Sequence, residues 1–226
     1  MNAHPDNNTP DLPERERNYQ AHVHFALGGI IQGLMLAALA GELANALRDF
    51  SYPSTIWILV TALQSLLLCI LFWYRFMDNF IFGFRVINLT AKTHFLFATH
   101  HLVLGLLQFL AIRFLADSRL WLTFYALLIL TTQGFSLFSS HMKIIDQEGA
   151  EAALAYEPDT KFMLVSISLM LITLVGWYLF PGLNTNLYRA FALTLSGLSI
   201  IAFITYSIKV FEHHLDWCKQ HQANPS

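Results

Sequence analysis

The amino-acid sequence predicts an all-α protein, a polytopic membrane helix bundle with six transmembrane helices. Three observations lead there. Charged residues make up 12% of the 226, about half the share a soluble domain carries, while 55% are hydrophobic. The charges gather in short segments and leave six nearly uncharged runs, each near the roughly 20 residues that cross a bilayer core. Inside those runs the few polar residues recur at steps of three and four, the period of a helix face.

Residues 1–20 form a polar leader, with Pro5, Pro10 and Pro13 and the mixed-charge run Glu14, Arg15, Glu16, Arg17. It is expected to be disordered, and it lacks the basic start and apolar core of a signal peptide. The transmembrane domain is expected over 21–212, with a polar tail at 213–226. The first span, Ala21 to Leu47, is interrupted only by Glu42. It carries Gly29, Gly33, Ala37 and Gly41 at four-residue spacing, which aligns them on one helix face as a groove with almost no side chain. In lipid, close backbone approach draws helices together where burial of apolar surface no longer does. The stripe therefore predicts a first helix at the centre of the bundle, touched by two or more neighbours.

Pro53 blocks helix continuation before the second span, Ile56 to Tyr74. The third span runs from Thr93 to Ile112 between Lys92 and Arg113, and the fourth from Leu120 to Met142 between Arg119 and Lys143. The fifth, Phe162 to Phe180, stops at Pro181-Gly182, and the sixth, Ala190 to Ile208, stops at Lys209. Met77 to Ala91, with Phe80, Phe82 and Phe84, reads as an interfacial elbow, and Lys143 to Glu157 as a helix extension into the cytosol. Arg75 and Asp78 are three apart and read as an interfacial clamp.

Lys and Arg counts set the orientation. Of the 13, Arg15, Arg17, Arg75, Arg85, Lys92, Lys143, Lys161, Lys209 and Lys219 fall on one side, and Arg48, Arg113, Arg119 and Arg189 on the other. The richer side is expected to be cytoplasmic, which puts both termini there, in the inner (plasma) membrane. A net charge of −2 without a basic stripe argues against nucleic acid as a partner. The two cysteines, Cys69 and Cys218, make no disulfide framework and are expected as free thiols. No phosphate-binding glycine loop, nucleophile elbow or Cys-x-x-Cys pair is present, so the reading leans away from an enzyme.

The informative residues are those lipid should exclude. His94, Ala98, His101, Gly105 and Gln108 share one face of the third span, opposite Phe95, Leu102, Leu106 and Phe109. An unsatisfied polar group costs several kcal/mol in hydrocarbon, so that face is expected to point into the bundle. Candidate partners lining a polar seam or pore are Gln32, Glu42, Gln64 and Gln133, with Glu42 either snorkelling outward or pairing with Arg48. Eight of the ten histidines lie in the cytoplasmic half: His22, His24, His94, His100, His101, His141, His213 and His214. Imidazole titrates near neutrality and ligates metals and haem. His22, His24, His100, His101, His141, His213 and His214 are thus metal or haem candidates, although interfacial packing without any cofactor is the simplest outcome.

These residues leave three functional expectations. The first is a channel or transporter for a proton or small cation. The second is a non-catalytic membrane subunit or effector that binds a partner, or a homo-oligomer. The third is a membrane redox protein with histidine-ligated haem or metal.

Overall fold

A computed structural model of the chain describes residues 12–48, 50–52, 54–78, 91–141, 160–180, 182 and 185–223, excluding the side chains of 12–18, 20–21, 91–94, 97, 133–141, 160–166, 217–218 and 220–223. Among the described residues the regular structure is helical. The six long helices are α1 (Leu12–Arg48), α2 (Ser54–Asp78), α3 (Ala91–Arg113), α4 (Ser118–His141), α5 (Thr160–Leu179) and α6 (Asn186–Ala223).

Local chemistry sets the helix starts. Ser54 and Thr55 fold back on Ser51 ahead of α2: Ser54 Oγ donates to the Ser51 carbonyl at 2.8 Å, and the Ser51 amide donates to Thr55 Oγ1 at 3.0 Å. The Asp117 carboxylate accepts from the amides of Arg119 and Leu120 at 3.0 and 3.1 Å, which satisfies two of the free N–H groups at the start of α4. Thr185 does the same for α6 by accepting from the Tyr188 amide at 3.2 Å. The described part of α1 reaches back to Leu12, within the expected disordered leader. α6 likewise runs through the expected tail to Ala223.

The helices pack as two rows of three. α1, α2 and α6 form one row and α3, α4 and α5 the other, with α1 against α3, α2 against α4 and α6 against α5. The middle helices, α2 and α4, are enclosed on the most sides. Trp121, Leu122, Tyr125 and Leu128 of α4 are fully buried, with Leu68 and Cys69 of α2 beside them in the same core. Ile30, Leu34, Leu63, Ile172, Leu198 and Ile201 are exposed on the outer surface, a distribution suited to a lipid surround.

Among the described residues three helical segments are long and apolar enough to cross a membrane: His22–Arg48, Ser54–Asp78 and Asn186–Asp216. The described apolar parts of α4 and α5, Ser118–Thr132 and Ile167–Leu179, are shorter. The chain is thus an all-helical protein with helices suited to a bilayer.

The first helix touches two neighbours, α2 and α3, as expected, but it is not central and does not dock through its small-residue stripe, a correction to the expectation from that stripe. Gly33, Ala37 and Gly41 are exposed, Gly29 is half-buried, and a Cβ at Gly29, Gly33 or Gly41 would meet nothing. The face that docks holds Gly28, Ile31, Gln32, Met35 and Leu39. The amide of Gln32 must be satisfied away from lipid, and turning it inward rotates the neighbouring stripe about 100° out. The glycine that closeness requires is Gly28, where a Cβ would stand 2.8 Å from the Phe76 ring. Gly28→Ala is expected to cost about 1 kcal/mol through overpacking, and Gly33→Ala nothing in the same assay. Unfolding of both variants in mixed micelles checks the difference.

Candidate functional site: a polar ladder between three helices

The groove where α1 meets α3, closed from behind by α2, contains three polar tiers. The tier nearest the chain termini is aromatic and imidazole. His101, 7% exposed, stacks on Phe76 with centroids 4.9 Å apart and an interplanar angle of 23°. His24 of α1 meets His101 edge to face at 6.3 Å, and His100 meets it at 5.8 Å.

The middle tier is a reciprocal amide pair. Gln32 Nε2 donates to Gln108 Oε1 at 3.1 Å, and Gln108 Nε2 donates back to Gln32 Oε1 at 3.3 Å. Gln108 Nε2 also donates to Cys69 Sγ at 3.0 Å, which brings α2 into the pair. Gln32 is 4% and Gln108 1% exposed, so the two amides saturate one another away from solvent and lipid. The far tier is the ion pair between Arg113 and Glu42. Glu42 therefore takes its partner from α3 rather than from Arg48. Arg113 is more than half exposed, so the pair contributes little to stability, of order 0–1 kcal/mol.

The tiers are spaced along the helices. Eight residues separate His24 from Gln32, about 12 Å of helix, and ten separate Gln32 from Glu42, about 15 Å. Apolar contacts fill the intervals. Gly105 lets Ile31 approach so closely that a Cβ there would lie 2.9 Å from Ile31 Cγ2. Met35, Leu39, Ala111 and Ile112 are buried between the amide pair and the ion pair.

Gln64 belongs elsewhere. Its Nε2 donates to the Leu193 carbonyl at 2.6 Å and its Oε1 accepts from Ser196 Oγ at 2.8 Å, tying α2 to α6. Trp121 Nε1 donates to Ser65 at 2.9 Å, Thr61 Oγ1 to the Leu115 carbonyl at 2.9 Å, and Tyr125 to Ser199 at 3.2 Å. These bonds hold the two rows together across α2 and α4. The side chains of His94, Gln133 and His141 lie outside the described residues, as do the elbow at 79–90 and the segment 142–159.

Sequence reasoning names Cys69, with Thr61, Gln64 and Ser65, as a polar edge of the second span, and missed Phe76, which bears no motif and lies two turns from Cys69 on the same face. Asp78 also pairs differently from expectation. Its partner is His214 of α6 at 2.5 Å, not Arg75. Among the described residues no group of three or more His, Cys, Asp or Glu side chains is placed to hold a metal ion.

The fold and the ladder define a class: an all-helical protein with bilayer-length apolar helices and a polar line between three of them. No protein-family model, curated protein or solved structure matches the chain, so the particular function rests on these residues.

Proposed function

We propose that the chain crosses the inner membrane six times with both termini in the cytoplasm, and moves a proton or small cation along the α1–α2–α3 groove. α3, α4 and α5 have 23, 24 and 20 residues, enough to span about 30 Å at 1.5 Å per residue. The excess of Lys and Arg at the end bearing both termini supports the orientation.

The observation that carries the reading is the alignment of His101, the Gln32–Gln108 pair and the Glu42–Arg113 pair on one line between the same two helices. Intramembrane ionisable and amide groups are costly in hydrocarbon, and such groups by default mark a functional path. In this arrangement the line is shut. The amides bond each other, and Ile31 and Met35 fill the space above and below. Conduction requires the two glutamines to part and turn their polar atoms toward a hydrated ion or a proton wire.

Flux in proteoliposomes tests this. The native chain is expected to dissipate an imposed proton or cation gradient, and the His101→Ala, Gln108→Leu double variant to lose that flux at least tenfold. Unchanged flux in the double variant ends the assignment.

A second reading is favoured by the outward stripe. Gly33, Ala37 and Gly41 offer a face on which another transmembrane helix can settle, as expected of a non-catalytic subunit or a homo-oligomer. A constant partner on purification, together with absence of flux from the isolated chain, would select it.

A further inference from the structure

A second ionisable site lies on the other side of α2. Gln64, Leu71 and Asp78 are spaced by seven and share the face that meets α6. On α6, Ser196, Ile200, Phe203, Ser207, Val210 and His214 form the buried stripe that answers it. The stripe begins with the Gln64–Ser196 bond and ends, at the terminus-bearing end, with Asp78 and His214. The Asp78 carboxylate and the His214 Nδ1 stand 2.5 Å apart, at 8% and 7% residue exposure. Asp78 is the only acidic side chain among the buried described residues.

We propose that Asp78 and His214 together form a proton-binding site, separate from the groove, whose occupancy sets how firmly α6 is held against α2. A carboxylate facing an imidazole within hydrogen-bond distance accommodates one exchangeable proton. With it the pair is neutral overall. Without it the pair carries one buried negative charge, although the imidazole Nδ1–H still bonds the carboxylate. The hydrogen bond therefore survives both states and the local charge does not, so a proton changes the electrostatics of the joint without dissolving it.

Other titratable groups surround the pair. Arg75 precedes Asp78 by one turn of α2, and Lys209, Glu212, His213 and Asp216 flank His214 on α6. His213 is ring to ring with His214 at 6.1 Å. His24 of α1 and His100 and His101 of α3 approach α2 from its opposite side, through Phe76. At this end α4 and α5 carry His141 and Lys161, whose side chains lie outside the described residues.

The test uses the full chain in lipid nanodiscs from about pH 5 to pH 8. Amide protection, the exchange rate taken relative to the intrinsic base-catalysed rate at each pH, is read over residues 207–216, and the His214 ring nitrogens by NMR. In the native chain, protection in this segment is expected to change at least threefold in step with the ring-nitrogen signal. Asp78→Asn keeps a hydrogen-bond acceptor and removes the charge, so its segment should stay protected and become insensitive to pH. Asp78→Glu should restore the dependence. Should Asp78→Asn fail to fold, His214→Gln supplies the same comparison. Two results overturn the proposal: protection that is flat with pH in the native chain, or the native pH dependence of protection retained in Asp78→Asn or His214→Gln. Neither measurement involves flux, so the joint stands or falls independently of whether the groove conducts.

Discussion

A Trp121→Ala chain is expected to lose about 3–5 kcal/mol of stability, the largest effect of any single substitution considered. Trp121 is fully buried in α4, stacked on Tyr125 with centroids 5.6 Å apart, and its indole N–H donates to Ser65 of α2. Removing it opens a cavity where the two rows of helices meet, and both middle helices line that cavity. Ser65 suffers less, because its own hydroxyl also donates to the Thr61 carbonyl at 2.8 Å. Trp121→Phe should therefore cost only about 1 kcal/mol, chiefly the lost hydrogen bond. Ile172→Ala on the outer surface should stay within about 0.5 kcal/mol of native. Reversible unfolding in mixed micelles measures all three. A Trp121→Ala chain as stable as Ile172→Ala would show that α2 and α4 do not meet as described.

The second large effect is a coupling. Gln108→Leu strands the Gln32 amide in an apolar setting, at a cost of about 1–3 kcal/mol. Gln32→Leu should do the same to Gln108, less whatever the bond to Cys69 Sγ retains. The double variant replaces both amides with apolar groups of similar size, so most of the loss is expected to return. The cycle should be non-additive by at least 1 kcal/mol, above the ~0.6 kcal/mol average for hydrogen bonds between membrane helices, because these amides share two bonds. Additive losses would place the side chains apart. The same double variant is expected to be folded and silent in flux, which separates stability from transport.

These two sites differ in how much the sequence disclosed. α3 was open to reading: His101, Gly105 and Gln108 follow a helical period, and bulky Phe95, Leu102 and Leu106 occupy the other side and are exposed. That pattern needs one helix and one physical rule. α1 contained two competing rules. Its glycine stripe asked for a neighbour, and Gln32 asked for a partner, on faces about 100° apart. The polar demand prevailed, since an unsatisfied amide costs more than a glycine face left against lipid. Phe76 was invisible as a site residue because it looks like an ordinary core position.

By itself the sequence determined the class: apolar runs of spanning length require backbone groups to bond within their own segment, and helices do so without reference to anything distant. Two helix starts are also local matters, since Asp117 and Thr185 act within one turn of α4 and α6. The tertiary structure alone decided partnership. Glu42 chose Arg113 over Arg48, Asp78 chose His214 over Arg75, and Gln64 left the groove for Ser196. Each choice joins residues far apart in the chain, and it depends on which helix lies alongside, a fact settled by the packing of all six at once.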